Sequence, residues 1–313
     1  MNAPERTRIG YEVPAMKCVV SGGTGFIGRR IVASLLDHGD YVGVWSRKPG
    51  LEKRPAVQSF LWDPLTGEPP EDSINRMDAV IHLAGETVAQ RWNPEVKRRI
   101  HDSRVLGTRR LVDAIGRAQH KPRALVCASA IGYYGDRGDE VLTESSAQGR
   151  GFLADACREW EAEAGRAAEF GLRVIRLRIG FVLGKDGGAL AKMAPAFRAF
   201  AGGRLGSGKQ WMPWIHADDV ADLFVYAAHN EISGVWNATS PNPVTNAEFT
   251  REMGNAVHRP AVFPVPPFAL KLAFGEMGQH MLDSARVIPQ AATKAGFPFR
   301  YPQLAPALRD LLG

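Results

Sequence analysis

Residues 17–28 read KCVVSGGTGFIG and run straight into RRIVASLLDHGD (29–40) and YVGVWSRK (41–48). A short apolar run ends in glycines spaced GxxGxxG, at Gly22, Gly25 and Gly28, and an amphipathic stretch begins where the glycines stop. That order predicts a buried strand, a tight turn and a helix, the opening of a βα unit. Gly22 permits the turn, Gly25 lets a pyrophosphate approach the backbone, and Gly28 lets the helix pack close to the sheet. The helix that starts here offers unpaired N–H groups and a positive dipole end to phosphates. Thr24, Phe26 and Ile27 complete the loop as candidate cofactor contacts.

The same rhythm continues outward. Strands are expected at 17–21, 41–46, 58–62, 78–84, 123–129 and 172–178, with helices at 27–38, 94–118 and 151–170. This alternation predicts an α/β chain with a doubly wound parallel sheet of Rossmann type. Asn93 before Pro94 marks a helix start, and Asp218 or Asp219 is expected to cap the helix after WIHA (214–217). Beyond residue 185 the chain turns Gly- and Pro-rich and loses the βα period. The division expected is an N-terminal extension (1–16), a Rossmann domain (17–185 with 213–240) and a substrate-binding cap (186–212 with 241–313).

Composition narrows the class. The 313 residues are 45% apolar and 23% charged, as in ordinary globular chains, and no apolar run approaches the ~18 residues of a membrane span. The first sixteen residues lack the apolar stretch of a signal peptide. Cys18, Cys127 and Cys157 stand singly, which argues against a disulfide framework or a metal site and fits a reducing cytoplasm. The net charge of +6 is spread without a basic block. The partner expected is therefore a small polar or anionic molecule, with neither nucleic acid nor membrane; a homodimer is compatible with the chain.

Cofactor choice is read at the end of the second strand, where an acidic residue would hold a ribose 2′-hydroxyl. Ser46 stands there, followed by Arg47 and Lys48. A hydroxyl and two cations suit a 2′-phosphate through charge-assisted hydrogen bonds, so NADP(H) is expected over NAD(H). Asp63, in LWDP, could meet the adenine amino group or cap the following turn.

The glycine loop, HLAG (82–85) and ASAIGYYG (128–135) together resemble the extended short-chain dehydrogenase/reductase superfamily. The resemblance implies cofactor contacts from Leu83, Ala84 and Gly85, and nicotinamide-side contacts from Arg178 and Gly180 in RIGFVLG (178–184). Reductases and epimerases of that superfamily carry a Tyr four residues before a Lys on one helix. Here the six tyrosines are followed at that distance by Ala15, Trp45, Arg137, Gly138, Asn230 and Ala305, so the pair is absent. Leu153 and Cys157 align with its two positions, Arg104 with a usual Asn, and Ala130 with the usual hydroxyl residue, Ser129 lying one place earlier.

A narrower resemblance accounts for this. SAIGYYG, the WE of REWE, LGSGKQWMPWIHADD (205–219), TNAEF (245–249) and VIPQ (287–290) resemble an atypical subfamily known as epimerase family proteins, nucleoside-diphosphate-sugar epimerase-like, with a C-terminal domain of unknown function. That subfamily also lacks the pair. Candidate catalytic residues are then Tyr133, Tyr134, Ser129 and Arg104, with Arg104 and Arg91 suited to an anionic group and Arg104 also placed to touch cofactor. The expected function is an NADP(H)-binding oxidoreductase or epimerase with an unidentified substrate. The alternative is a non-catalytic NADP(H)-responsive sensor or scaffold.

Overall fold

The protein is described by a computed structural model covering residues 15–48, 54, 56–261 and 263–313. The expected N-terminal extension lies outside the described residues as far as residue 14. Along the chain run β1 (Lys17–Ser21), α1 (Gly28–Asp37), β2 (Tyr41–Ser46), β3 (Val57–Leu61), β4 (Ala79–His82), α2 (Pro94–Arg117), β5 (Ala124–Ala130), β6 (Val141–Leu142), α3 (Phe152–Gly165) and β7 (Arg173–Ile179). There follow β8 (Phe181–Gly184), α4 (Gly188–Arg198), β9 (Trp211–Met212), β10 (Trp214–His216), α5 (Ala217–His229), β11 (Gly234–Ala238), β12 (Val244–Thr245), α6 (Asn246–Ala256), α7 (Pro267–Phe274), α8 (Glu276–His280), β13 (Arg286–Val287), α9 (Gln290–Lys294) and α10 (Leu304–Leu312).

Seven strands form one parallel sheet in the order β11-β7-β5-β4-β1-β2-β3. The order reverses between β1 and β4, and a crevice opens there at the carboxyl ends of the strands. Apart from the exposed Lys17 and the half-buried Ala130, every residue of the central strands β1, β4 and β5 is buried, because helices cover both faces: α1 packs with α5, and α2 with α3. Asn93 caps α2 as expected, its side chain accepting the Val96 N–H at 2.8 Å, with Pro94 in the first turn.

A second apolar cluster gathers Leu190 and Phe197 of α4, Phe249 and Met253 of α6, and Leu304, Leu308 and Leu311 of α10. Leu183 of β8 and Trp214 of β10 join it, from a two-stranded parallel pair separate from the main sheet. The cap is thus rooted on residues within the ranges expected for the Rossmann domain. The cap of α5 differs from expectation. His216 is its N-cap, Nδ1 accepting the Asp218 N–H at 3.1 Å, while the Asp219 carboxylate accepts the N–H groups of Arg300 and Tyr301 at 2.8 and 3.0 Å. Asp219 was bound to the C-terminal segment, a partner 81 residues away that local pattern does not reveal.

Candidate functional site

The glycine turn has the geometry its spacing implies. Gly22 has φ +67°, a left-handed conformation, and its carbonyl accepts the Gly25 N–H at 2.9 Å. A Cβ at Gly28 would stand 2.1 Å from the Gly22 oxygen and 2.7 Å from Gly23 Cα, so no larger residue fits where α1 meets the turn. Phe26 points away from the turn under a second glycine cluster: Cβ atoms at Gly184, Gly187 or Gly188 would come within 2.9 Å of its ring. Ile27 sits at the N-cap of α1 and packs against the main core.

Beside the turn lies a crevice of about 220 Å³ at the β1/β4 switch point. Gly22, Thr24 and Gly25 line one side, Leu83, Ala84 and Gly85 another, and Ser46, Arg47 and Asp63 the end where β2 and β3 finish. Nine expected cofactor residues therefore share one cavity. Two buried tryptophans, Trp45 and Trp62, join them edge to face at 5.3 Å between centroids. Asp63 both faces the crevice and caps its turn, accepting the Leu65 N–H at 3.0 Å. Ser46 donates to the Lys48 carbonyl at 2.8 Å and accepts the Lys48 N–H at 3.2 Å, so its hydroxyl shapes the loop that carries the exposed Arg47 and Lys48. Arg47 has no carboxylate partner among the described residues.

The crevice floor holds a polar relay the sequence reading missed. Ser21 Oγ accepts the Leu83 and Ala84 N–H groups at 3.0 and 3.1 Å and bonds His82 Nδ1 at 2.7 Å, while His82 Nε2 meets Thr108 Oγ1 at 3.1 Å. Complete burial pushes the His82 pKa down to about 3, so the ring is neutral and fixes the HLAG backbone against the glycine turn. A His after a strand is a weak signal without knowledge of the hydroxyls that sandwich it.

The candidate catalytic residues divide sharply. Ser129 donates to Glu161 Oε1 at 2.6 Å. Arg178 meets the same carboxylate with Nε and Nη2 at 2.8 and 2.9 Å, and donates from Nη1 to the Tyr134 hydroxyl at 2.9 Å. Tyr134 is fully buried, and its hydroxyl donates within reach of both Asn237 Oδ1 (2.7 Å) and the Thr143 carbonyl (3.0 Å). Burial raises its pKa despite the neighbouring guanidinium. Burial works against the Arg178 charge too, but the Glu161 carboxylate outweighs it and holds Arg178 above the usual arginine range. Ser129, Tyr134 and Arg178 are thus consumed in a buried network whose hub, Glu161, was not among the candidates.

Tyr133 is different. Half-buried, it carries the Arg178 guanidinium 3.4 Å from its ring centroid, and its hydroxyl has no protein partner among the described residues. Arg104 donates from Nη1 to the Glu86 and Ile100 carbonyls at 3.0 and 3.1 Å, and lies against Gly85, where a Cβ would be 3.3 Å from its Cζ. Burial pulls its pKa down. Arg91 donates to the Leu272 carbonyl at 2.9 Å. Gly180 is closed in by the Pro213 carbonyl, 2.5 Å from a Cβ placed there. Leu153 and Cys157 pack on Gly132, and burial moves the Cys157 thiol up to about 11. Among the described residues no group of three His, Cys, Asp or Glu is placed to hold a metal, and no helix is long and apolar enough to cross a membrane.

This geometry has counterparts. The model of the NAD dependent epimerase/dehydratase family matches residues 18–238, and that of a domain of unknown function (DUF1731) matches residues 265–311. The chain is 42% identical over 306 residues to the Arabidopsis thaliana epimerase family protein SDR39U1 homolog, chloroplastic, spanning 95% of this chain and 87% of that protein. It is 36% identical over 299 residues to the Bacillus subtilis epimerase family protein YfhF, spanning 95% and 98%. The crystal structure of the human epimerase family protein SDR39U1 (isoform 2) with NADPH superposes with a TM-score of 0.84 at 34% identity, covering 95% of this chain and 99% of that one. Sequence, sheet order and glycine turn agree: the chain belongs to the NAD dependent epimerase/dehydratase family, in the company of the epimerase family proteins.

Proposed function

We propose that the protein binds NADP(H) in the β1/β4 crevice and acts as an oxidoreductase or epimerase of the short-chain dehydrogenase/reductase type on a small polar or anionic substrate. The observation that carries this is the crevice itself, bounded by the glycine turn and, at the end of β2, by Ser46 and Arg47 in place of a carboxylate. The residues fit such a dinucleotide. Gly25 meets only the Gly22 oxygen on its Cβ side, leaving its backbone open, and α1 begins at the turn with its positive end forward. Arg47 offers a planar fork to a 2′-phosphate, whereas an acid there would repel it. The NADPH in the related human structure supports the same choice.

Bound nicotinamide supplies or accepts hydride. The chain's own part is to fix Leu83–Gly85 through Ser21 and His82, and to hold a proton near the substrate at the Tyr133 hydroxyl, which its network leaves free. The three buried thiols fit a cytoplasmic setting. Purified protein supplied with NADPH and a panel of carbonyl compounds tests the reading: turnover that falls at least tenfold in Tyr133→Phe and persists in Cys157→Ser supports it. Tight NADPH binding with no turnover on any carbonyl supports the second reading, a sensor or scaffold. One observation favours that reading: the two positions of the usual pair are held by Leu153, which has no proton to give, and by Cys157, whose thiol burial keeps protonated, both packed on Gly132.

A further inference from the structure

We propose that the cap carries a docking face for an anionic lipid bilayer surface, built from exposed phenylalanines ringed by arginine and lysine. Phe268 and Leu272 are one helical turn apart on the same side of α7 and are 73% and 75% exposed. Phe263, on the approach to α7, is 69% exposed, and Phe200, after α4, is 54% exposed. Two chain segments bring them together. The Val265 N–H bonds the Arg204 carbonyl at 2.8 Å, the Gly206 N–H bonds the Val265 carbonyl at 2.9 Å, and a Cβ at Gly203 would collide with the Phe263 oxygen. Arg259 lies over the Phe200 ring at 5.0 Å. Apolar exposure of this kind, gathered on one side, marks an interaction surface rather than scattered surface residues.

Charge identifies the occupant. All 33 carboxylate residues of the chain lie outside 187–217 and 253–275, the two stretches that build this face, whereas Lys192, Arg198, Arg204, Lys209, Arg259 and Lys271 lie within them. Arg198, Arg204, Arg259 and Lys271 are exposed. Glu276, the first carboxylate past α7, is paired with Lys97 at 2.7 Å and leaves the face positive. Aromatic and leucine side chains among cations, without acids, match the headgroup boundary of an anionic bilayer, where apolar groups enter the interface and cations meet lipid phosphates. The lack of a long apolar run bears only on spanning helices, and this face needs none.

Sedimentation of the full chain with vesicles tests the proposal. The protein co-sediments with vesicles of equal phosphatidylglycerol and phosphatidylcholine and not with phosphatidylcholine alone. Phe268→Ser combined with Leu272→Ser lowers the partition coefficient by tenfold or more, because two large apolar side chains are withdrawn from the interface. Arg204→Glu with Lys271→Glu weakens binding similarly, and so does about 0.5 M salt, where the screening length drops to roughly 4 Å. All four residues are exposed, so circular dichroism and melting temperature stay as in the wild type. Equal binding to neutral vesicles, unchanged binding by the Phe268/Leu272 variant, or no vesicle binding overturns the proposal. So does a wild-type dimer that the same variant makes monomeric without any vesicle binding, since a second copy is then the occupant.

Discussion

Glu161→Gln removes one charge from a buried arginine–carboxylate pair. The Arg178 and Glu161 side chains are 3% and 7% exposed, joined by two parallel hydrogen bonds of 2.8 and 2.9 Å, with the Ser129 hydroxyl on the same carboxylate at 2.6 Å. Glutamine keeps the shape and one acceptor oxygen but leaves the guanidinium without a counter-charge. Breaking a buried pair from one side costs about 3–5 kcal/mol, and the retained acceptor places this variant near about 3 kcal/mol. Unfolding entropy for a chain of this length is about 0.7 kcal/mol/K, so the melting temperature falls by about 5 °C. Urea unfolding of wild type, Glu161→Gln and the double variant Glu161→Leu/Arg178→Met gives the decisive comparison. The double variant removes both charges, Tyr134 retains Asn237 and Thr143 as partners, and only the Ser129 hydroxyl loses its acceptor, at about 1–2 kcal/mol, so stability returns to within about 2 kcal/mol of wild type. A Glu161→Gln loss below about 1 kcal/mol, or a double variant as unstable as the single one, refutes the argument that Arg178 depends on this carboxylate.

Two further substitutions follow from the crevice. His82 has its folded-state pKa pushed down from 6.5 to about 3, so the unfolded chain binds a proton that the folded protein refuses between those values. Its contribution is complete above pH 6.5 and is lost as pH falls toward 3, amounting to about 2 kcal/mol by pH 5; the stability difference between wild type and His82→Gln shrinks by that amount between pH 7 and pH 5 in urea titrations, and a pH-independent difference contradicts the assignment. Gly28→Ala places a methyl 2.1 Å from the Gly22 oxygen, so the turn must move. The expected loss is about 1–3 kcal/mol in stability together with weaker NADPH binding, measured by thermal melts and fluorescence titration, and an unaffected NADPH affinity counts against the turn as the pyrophosphate site.

The sheet was readable because its strands are short apolar runs bounded by glycine and polar residues. The expected 17–21 and 41–46 coincide with β1 and β2, and the others lie within a few residues of β3, β4, β5 and β7. The crevice was readable because glycine turn, HLAG and WSRK each sit at the end of a strand, and parallel strands bring those ends together. The network was not, because it joins Ser129 and Tyr134 of one stretch to Glu161, Arg178 and Asn237 from three others far apart in sequence. Position relative to the strand ends suggested Tyr134 and Tyr133 equally. Only packing separates a hydroxyl saturated by three partners from one left open. Likewise, Asp219 sits where an N-cap residue is common, yet its two oxygens serve backbone N–H groups of a segment 81 and 82 residues away.

Cofactor choice is made at the end of β2. Dissociation constants of NADPH and NADH are measured for the wild type and for Arg47→Ala by nucleotide fluorescence at one ionic strength. A charge-assisted hydrogen bond contributes about 1.5–3 kcal/mol, so wild type prefers NADPH by tenfold or more, and Arg47→Ala loses most of that ratio by weakening NADPH while leaving NADH unchanged. Equal affinities in the wild type, or a ratio that Arg47→Ala does not alter, contradict the claim that this crevice selects a 2′-phosphate through Arg47.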